Sequence, residues 1–322
     1  MVKIKDIAEQ SGYGAGTVSR ALNGGEGVSP RALKSILETA ERMGYSPNTY
    51  ARNLAKGDFE SVTVGLLTLL DTNQYLFEML RGMYTVLNNK GYNILMFSIG
   101  KKRDKIISHI ISENLCGLIV IATPLLDNEK QIFNANKIPY IYLDHYEDGE
   151  NSISVDNFRG GAAAAEYLLS KGCTKIAYIG ETRGSKHQDK RLKGFESTLK
   201  KNGLFPTGIE YVNMTFNISY SDLEKRTVQK VRNLIAAGAD GIFCYCDELA
   251  LVALDEIRKQ PREIFLVGYD DIPAARHVSL TTVNQPLDKI GEEAAKAIIS
   301  LSAGESAIIN KRFRPKLIIR NT

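Results

Sequence analysis

Apolar residues in the first 43 positions of the chain recur at intervals of three and four, in three successive segments. Their positions are Ile4, Ile7 and Ala8, then Val18, Ala21 and Leu22, and then Leu33, Ile36, Leu37 and Ala40. Recurrence at this interval places the apolar side chains on one face of a helix. The pattern therefore predicts three short amphipathic helices that pack against one another.

Turn and cap residues separate these predicted helices. Gly12 supplies the positive φ that the turn of a helix-turn-helix needs. Ser29 and Pro30 suit the N-cap and the first residue of the third helix, and Gly44 lies just past its end. The spacing predicts a helix-turn-helix over residues 4–23, followed by a third helix.

From Ser61 onward, short apolar runs alternate with amphipathic segments. The predicted strands are 62–68, 92–97, 117–122, 140–143, 152–155, 175–179, 209–212, 241–245, 265–268 and 280–283. Helical segments fill the gaps, among them 74–89, 158–170, 188–201, 221–236 and 247–258. This alternation indicates parallel sheets covered by helices on both faces. The strands are too many for one ordinary open sheet, so the pattern predicts two lobes.

Positive charge is concentrated at the start of the chain. The first 57 residues hold eight Lys and Arg against five Asp and Glu, an excess of 8 − 5 = +3, whereas the whole chain has +4. A basic head on a nearly neutral body suits a phosphate backbone as partner. Charge alone leaves open a three-helix bundle that binds protein.

Several classes of protein are disfavoured by what the sequence lacks. The cysteines form no C-x-x-C pair and the four histidines are scattered, so no metal site or cofactor is expected. No run of about 18 apolar residues could span a membrane. The first residues include Lys3, Lys5 and Asp6 and no apolar leader, which together with reduced thiols predicts a cytoplasmic protein. The glycines at 12, 14 and 16 follow no strand, so they are not a dinucleotide fingerprint.

Several ordered motifs resemble the lactose-repressor/galactose-repressor (LacI/GalR) family of bacterial transcriptional regulators. In the head they are Asp6-Ile-Ala-Glu-Gln-Ser-Gly12, Thr17-Val-Ser-Arg-Ala-Leu-Asn23, Val28-Ser29, Gly44-Tyr-Ser-Pro-Asn48 and Ala51-Arg-Asn-Leu54. In the body they are Val155-Asp-Asn157, Arg191-Leu-Lys-Gly-Phe195, Gly268-Tyr-Asp-Asp-Ile-Pro273 and Leu280-Thr-Thr-Val-Asn-Gln-Pro286. The effector domain of that family is similar to the periplasmic sugar-binding proteins, with two lobes and a ligand in the cleft between them.

The resemblance implies that the second helix of the head enters the major groove of DNA. The residues that it would place at the DNA are Ala15, Gly16, Thr17, Ser19, Arg20 and Asn23. Ala15 and Gly16 take the positions that set operator choice, and both are too small for a bidentate pair with a base. Direct readout is therefore expected to depend on Arg20, which can reach guanine.

Residues 47–57 are predicted to form a hinge helix. The resemblance implies DNA contacts there from Asn48, Ala51, Leu54 and Lys56. Roughly ten residues are too few for a helix to be stable alone in water, so it should fold only against a partner copy and DNA. By the resemblance, Leu54 is the wedge that opens the central base step in the minor groove. A homodimer on a near-palindromic operator is therefore expected.

Polar residues cluster at the carboxyl ends of the predicted strands, where ligands bind in doubly wound sheets. They are Asp71, Asn73, Thr123, Asp144, Asp156, Asn157, Asp247, Asp270 and Asp271. Each has a second interpretation, because Asp, Asn and Thr also cap the following helix.

The resemblance implies a specific set of effector contacts. They are Asn73, Tyr75, Thr123, Asp156, Arg191, Phe216, Cys246, Asp247 and Asp270. Carboxylates, an arginine and an aromatic ring suit a neutral polyol. Cys246 stands where relatives usually have an amide, so an atypical effector is expected.

The sequence thus predicts an all-α helix-turn-helix head over 1–46, a hinge helix over 47–57, and an α/β two-lobed domain over 58–322 that resembles a periplasmic binding protein. Lobe 1 should span about 61–155 and 286–308, and lobe 2 about 156–285 and 309–322. The expected function is a dimeric repressor of carbohydrate-metabolism genes, controlled by a small sugar or related metabolite. The alternatives are a sugar-binding transport component and a doubly wound enzyme, for which no catalytic motif is present.

Overall fold

The computed structural model describes residues 3–22, 27–43, 62–69, 74–99, 102–145, 149–182, 185–214, 219–305 and 307–322. The chain divides into two compact units, a head within Met1–Glu60 and a body within Ser61–Thr322. The predicted hinge helix lies outside the described residues, and so do some candidate site residues. Those are Asn23, Asn48, Ala51, Leu54, Lys56, Asn73 and Phe216.

The described part of the head folds as the sequence pattern predicts. Its helices are α1 (Ile4–Ser11), α2 (Ala15–Leu22) and α3 (Pro30–Arg42). Gly12 ends α1 with φ of 73°, and Ser29 caps α3 by accepting the backbone N–H of Ala32 at 3.3 Å. The core between the helices consists of Ile7, Val18, Ala21, Ile36 and Ala40.

One apolar residue that the pattern assigns to the buried face of α3 is exposed. Leu37 is 46% exposed, whereas Ala32, Ile36 and Ala40 are buried. Successive residues of a helix point about 100° apart, so the residue after Ile36 turns away from the inner face. The prediction that Leu37 is buried was therefore wrong.

The described residues of lobe 1 form a six-stranded sheet between two layers of helices. The strands, in spatial order, are β11 (Asn310–Phe313), β5 (Ser152–Val155), β4 (Tyr140–Leu143), β3 (Gly117–Ile121), β1 (Thr63–Thr68) and β2 (Asn93–Ser98), all parallel. One face packs on α4 (Gln74–Asn89) and α12 (Leu287–Ser302). The other face packs on α5 (Arg103–Ser112) and α6 (Asp127–Ala135).

Lobe 2 repeats this architecture. The strands, in spatial order, are β12 (Lys316–Ile318), β10 (Thr282–Asn284), β9 (Phe265–Asp270), β8 (Gly241–Cys244), β6 (Ile176–Glu181) and β7 (Gly208–Val212). One face packs on α7 (Asn157–Ser170) and α8 (Lys186–Lys201), and the other on α9 (Tyr220–Ala236) and α10 (Asp247–Ile257). A short helix, α11 (Pro273–His277), follows β9. The predicted two-lobed α/β fold is confirmed.

The last residues of the chain are divided between the two lobes, and this differs from the expected boundary. The sequence predicts that residues 309–322 all belong to lobe 2. Instead β11 pairs in parallel with β5 of lobe 1, and β12 pairs antiparallel with β10 of lobe 2. Pro315 lies between them and has no N–H to donate to a strand ladder, so it separates the two strands.

Helices α7 and α8 approach each other through glycines. A Cβ on Gly161 would lie 1.8 Å from the carbonyl oxygen of Arg191, and one on Gly194 would lie 1.9 Å from that of Phe158. Real Cβ atoms do not come this close, so only glycine permits the backbone contact. This contact sets the position of the α8 turn that carries Arg191.

Candidate functional site

A cluster of polar and aromatic side chains lies between the two lobes, where strands of both sheets end. We call it the cleft cluster. Its members are Tyr75, Asp144, Asn157, His187, Arg191, Tyr245, Tyr269, Asp270 and Gln285. Tyr75 and Asp144 belong to lobe 1, and the chain crosses between lobes immediately beside Asn157 and Gln285. The crossovers therefore place residues that are distant in sequence at one site.

Arg191 is the fixed centre of the cluster. Its Nε donates to Asn157 Oδ1 at 2.8 Å, and its Nη1 donates to the carbonyl oxygen of Tyr245 at 2.8 Å. The guanidinium carbon lies 3.6 Å from the ring centroid of Tyr269, and Nη1 is 3.9 Å from Asp270 Oδ1. A planar guanidinium held on an aromatic face and by two acceptors has little freedom to move. It can present its remaining N–H groups to a ligand at a defined angle.

Asp270 and Gln285 provide acceptors beside this arginine. Gln285 Nε2 donates to Asp270 Oδ1 at 2.6 Å, while the buried Gln285 Oε1 has no partner among the described residues. Burial raises the pKa of Asp270 to about 7, against the opposing effect of Arg191. A buried acceptor without a donor costs free energy, and a ligand hydroxyl would satisfy it.

Asp144 is the acceptor contributed by lobe 1. Its Oδ2 accepts the hydroxyl of Tyr75 at 3.0 Å, and its Oδ1 accepts Nδ2 of Asn157 at 3.4 Å. Burial, followed by the Asp144 carboxylate, holds the pKa of Tyr75 well above its ordinary value, so the phenol keeps its proton and donates. Both lobes therefore contribute donors to the same carboxylate.

His187 lies against Asp144 from the side of lobe 2. Its Nδ1 is 3.6 Å from Asp144 Oδ2, and its Nε2 is 2.8 Å from the hydroxyl of Tyr245. The rings of His187 and Tyr245 are stacked, with centroids 5.8 Å apart and planes at 23°. Burial lowers the pKa of His187 to about 4, so the imidazole is neutral at pH 7.

The structure brings Tyr75, Arg191 and Asp270 of the predicted effector contacts into the cluster. Asp156 instead caps α7, since its Oδ1 accepts the backbone N–H of Arg159 at 3.1 Å. Asp247 is fully buried and accepts from Thr282 Oγ1 at 2.6 Å and from the backbone N–H of Ile272 at 3.0 Å. The bond of Asp156 fits the capping interpretation that the sequence left open, whereas Asp247 caps no helix of its own and instead links α10 to β10 and to the residue before α11.

Cys246 and Thr123 lie at strand ends, as the sequence suggested. Cys246 is the buried N-cap residue of α10, and its side chain makes no capping bond. Burial, followed by the charge of Glu248, holds the pKa of the Cys246 thiol well above its ordinary value, so it stays protonated. Thr123 is buried after β3. Their contact with a ligand remains a prediction.

Several members of the cluster were missed at the sequence level. From the sequence, Asp144 and Asn157 are expected only as polar residues at strand ends, and Tyr245 is the last residue of a predicted strand. His187 is not among the predicted site residues and precedes the predicted helix 188–201, whereas α8 begins at Lys186 behind the N-cap Ser185. Ser185 accepts the backbone N–H of Gln188, and this cap spacing was the available signal.

In the head, α2 presents the expected face to solvent. Ala15, Gly16 and Arg20 are exposed, and Thr17 and Ser19 are half-buried. The opposite face of α2 packs into the core of the head. An exposed face of small and hydrogen-bonding residues beside one arginine fits a helix that lies in a major groove.

The residues that the structure describes contain no group of three or more His, Cys, Asp or Glu arranged to hold a metal ion. Among their helices, none is both long enough and apolar enough to cross a membrane.

Comparison with known proteins gives two family matches that follow the division of the chain. Residues 3–48 match the family described as "Bacterial regulatory proteins, lacI family". Residues 165–322 match the "Periplasmic binding protein-like domain". The first covers the described head, and the second covers most of lobe 2 and the late segments of the body.

Curated relatives align along nearly the whole chain. The HTH-type transcriptional regulator CelR of Thermobifida fusca is 27% identical over 93% of this chain and 92% of its own length. The ribose operon repressor of Escherichia coli (strain K12) is 26% identical over 93% of this chain and 92% of its own length.

Solved structures share the fold. The lac repressor dimer bound to operator and the anti-inducer ONPF superposes with a TM-score of 0.80 at 21% identity, over 99% of this chain and 98% of that one. The CelR–cellobiose complex superposes with a TM-score of 0.71 at 23% identity, over 99% of both chains.

Proposed function

The chain belongs to the lacI family of bacterial regulatory proteins, and we propose that it is a repressor that binds operator DNA with its head and a small sugar in the cleft of its body. The observation that carries this proposal is the cleft cluster, in which hydrogen-bond acceptors and donors are held in fixed positions around Arg191. Relatives of this chain are transcriptional regulators, so an enzyme is not the interpretation we adopt. The basic head argues against a transport component.

The chemistry of the cluster favours a neutral, hydroxyl-rich ligand. Asp144, Asp270 and Gln285 Oε1 would accept hydroxyl hydrogens, and Arg191 would donate to a ring or hydroxyl oxygen. Among the described residues of the cluster, Arg191 is the only cation and already faces Asp270 at 3.9 Å, so a phosphate or carboxylate would meet the carboxyl groups of Asp144 and Asp270 without a second cation to balance its charge. Sugars bound in relatives, such as cellobiose in CelR, are of this neutral class.

Ligand and DNA would be coupled through the arrangement of the lobes. A ligand changes DNA affinity only if it binds one arrangement more tightly than another. Because the cluster draws donors from both lobes onto Asp144, a bound sugar would bias their separation. We propose that this bias acts on residues 47–57 in a dimer.

We place the dimer contact on an apolar surface of lobe 1. Phe77 and Tyr84, seven residues apart on α4, are 66% and 59% exposed, and Met96 on the edge strand β2 is also exposed. Large exposed apolar side chains that share a surface are typical of protein interfaces. A two-fold dimer through this surface would match a near-palindromic operator.

The proposal is tested with the full chain and a pool of random-sequence duplexes. Binding rounds should enrich a near-palindromic site, and fluorescence anisotropy on that site should respond to one or more neutral sugars. We expect Arg20→Ala to weaken DNA binding and Arg191→Lys to abolish the sugar response while keeping DNA binding. Lys193→Ala, exposed two residues further along α8, is the matched control. Failure to enrich any sequence would refute the DNA-binding role.

A further inference from the structure

A continuous chain of polar contacts joins the two lobes in this structure. It runs from the hydroxyl of Tyr75 to Asp144 in lobe 1, and from Asp144 to His187 and then Tyr245 in lobe 2. Asn157 of lobe 2 also donates to Asp144 at 3.4 Å. Most of the atoms in these polar contacts are buried, so the contacts are shielded from water.

We propose that Asp144, His187 and Asn157 form a pH-sensitive clasp that holds the lobes closed, and that mild acid opens it. The contacts of the clasp are modest, at 3.4 and 3.6 Å, so a single added proton can change the balance between closed and open lobes. The clasp depends on the fold of the body and not on the proposed function of the protein.

The hydrogen-bond directions explain why a proton matters. Asp144 can only accept, so the hydrogen of neutral His187 lies on Nδ1, facing that carboxylate. Nε2 then accepts the hydroxyl hydrogen of Tyr245 at 2.8 Å. A second proton, on Nε2, would point at this donor, and the Tyr245 hydroxyl would have to turn away. The closed arrangement therefore suits only the neutral ring.

The charges around His187 oppose each other, so burial decides. Two carboxylates favour the protonated ring: Asp144, which follows β4, and Asp189, which lies in α8 together with His187. Arg191, also in α8, and His145 disfavour it. Tyr75 and Tyr245 stay neutral, because burial holds their pKa values well above ordinary ones. Loss of hydration is the largest effect on His187 and lowers its pKa to about 4.

The sign and size of the effect follow from linkage. In open lobes the exposed ring regains a pKa of about 6.5, so protons bind the open state more readily than the closed one. The closed state is fully favoured above that pH and loses its advantage as pH falls from about 6.5 toward 4. For His187 alone, the ratio of closed to open molecules should be roughly tenfold lower at pH 5.5 than at pH 8. Asp270, whose pKa burial raises to about 7, would act in the opposite sense if opening exposed it, but its contacts with Arg191 and Gln285 lie on the lobe 2 side of the cleft.

Histidine NMR tests the first part directly, since the full chain has four histidines. In protein with labelled histidine rings, the signal absent from His187→Gln identifies His187. We expect this signal to titrate below the ordinary pKa of histidine. Tyr245→Phe removes only the hydroxyl and should move the His187 titration upward. A His187 titration near 6.5 in the wild type would overturn the clasp.

Small-angle X-ray scattering tests the opening. With molar mass held constant by in-line light scattering, the radius of gyration of the wild type should rise between pH 8 and 5.5. His109→Gln should show the same rise, and His187→Gln should show none. A wild-type radius that stays constant, or that rises equally in His187→Gln, would contradict the proposal. Tyr245→Phe, expected to open at higher pH, provides a second variant if His187→Gln does not fold. Loss of DNA or sugar binding in other assays leaves these outcomes unaffected.

Discussion

A methyl group added at the contact between α7 and α8 should damage both the stability of the body and the cleft. In Gly161→Ala the new Cβ would lie 1.8 Å from the carbonyl oxygen of Arg191, so backbone must move apart by more than 1 Å to restore ordinary contact. The obstacle is main chain and cannot rotate away as a side chain can. Overpacking of this kind costs about 1–3 kcal/mol or more, which exceeds the gain in helix propensity of about 1 kcal/mol from replacing glycine.

The displacement also reaches the ligand site, because the obstructing carbonyl belongs to Arg191 itself. Its guanidinium is held by bonds of 2.8 Å to Asn157 and to Tyr245, and a shift of about 1 Å would break at least one of them. We therefore expect Gly161→Ala to lower the free energy of unfolding by about 2 kcal/mol and to weaken sugar binding as well.

The assay is denaturant unfolding followed by circular dichroism, since the chain has no tryptophan. Glu166→Ala, an exposed change in the same helix, is the matched control and should stay within about 0.5 kcal/mol of the wild type. If Gly161→Ala is as stable as this control, the helix contact is not as close as described, and the reasoning fails.

Further substitutions test the hinge, a helix cap and a buried ion pair. Leu54→Ala should weaken operator binding by more than the loss of one side-chain contact, and unchanged affinity in a titration would contradict the wedge. Ser29→Ala removes the cap of α3 and should destabilise the head by about 1 kcal/mol in thermal unfolding; no change would show that the cap contributes nothing. Arg320→Ala removes the 2.6 Å partner of buried Asp271, which keeps Asn284 at 3.1 Å and Arg276 at 3.4 Å, and should cost about 2 kcal/mol in denaturant unfolding. Unchanged stability would contradict a contribution from this ion pair.

Local patterns in the sequence were sufficient for the elements of secondary structure. Helix α4 and strands β4 and β5 have the predicted bounds, and most other predicted elements agree to within two residues. This is possible because periodicity, caps and turn glycines act over one or two turns of chain. The order of the motifs along the chain also indicated the family, because each motif is a short run of residues that can be read without knowing the fold.

Roles that depend on long-range neighbours could not be assigned in this way. Asp156, Asp247 and Asp270 each lie at the end of a strand or within three residues after it, but only Asp270 faces Arg191. Which of them caps a helix depends on whether a backbone N–H or a cation lies within reach, and no local pattern records that. The division of the last residues between two sheets had the same origin, because strand partners are chosen by the whole lobe.

The sequence by itself therefore determined the helix-turn-helix head, the alternation of strands and helices, and the presence of Tyr75, Arg191 and Asp270 in the site. Only the tertiary structure showed that Asp144 and His187, 43 positions apart in the sequence, meet between the lobes. Their contact arises because two sheets, each folded through local rules, end at the same cleft. The chemistry at that cleft belongs to neither lobe alone.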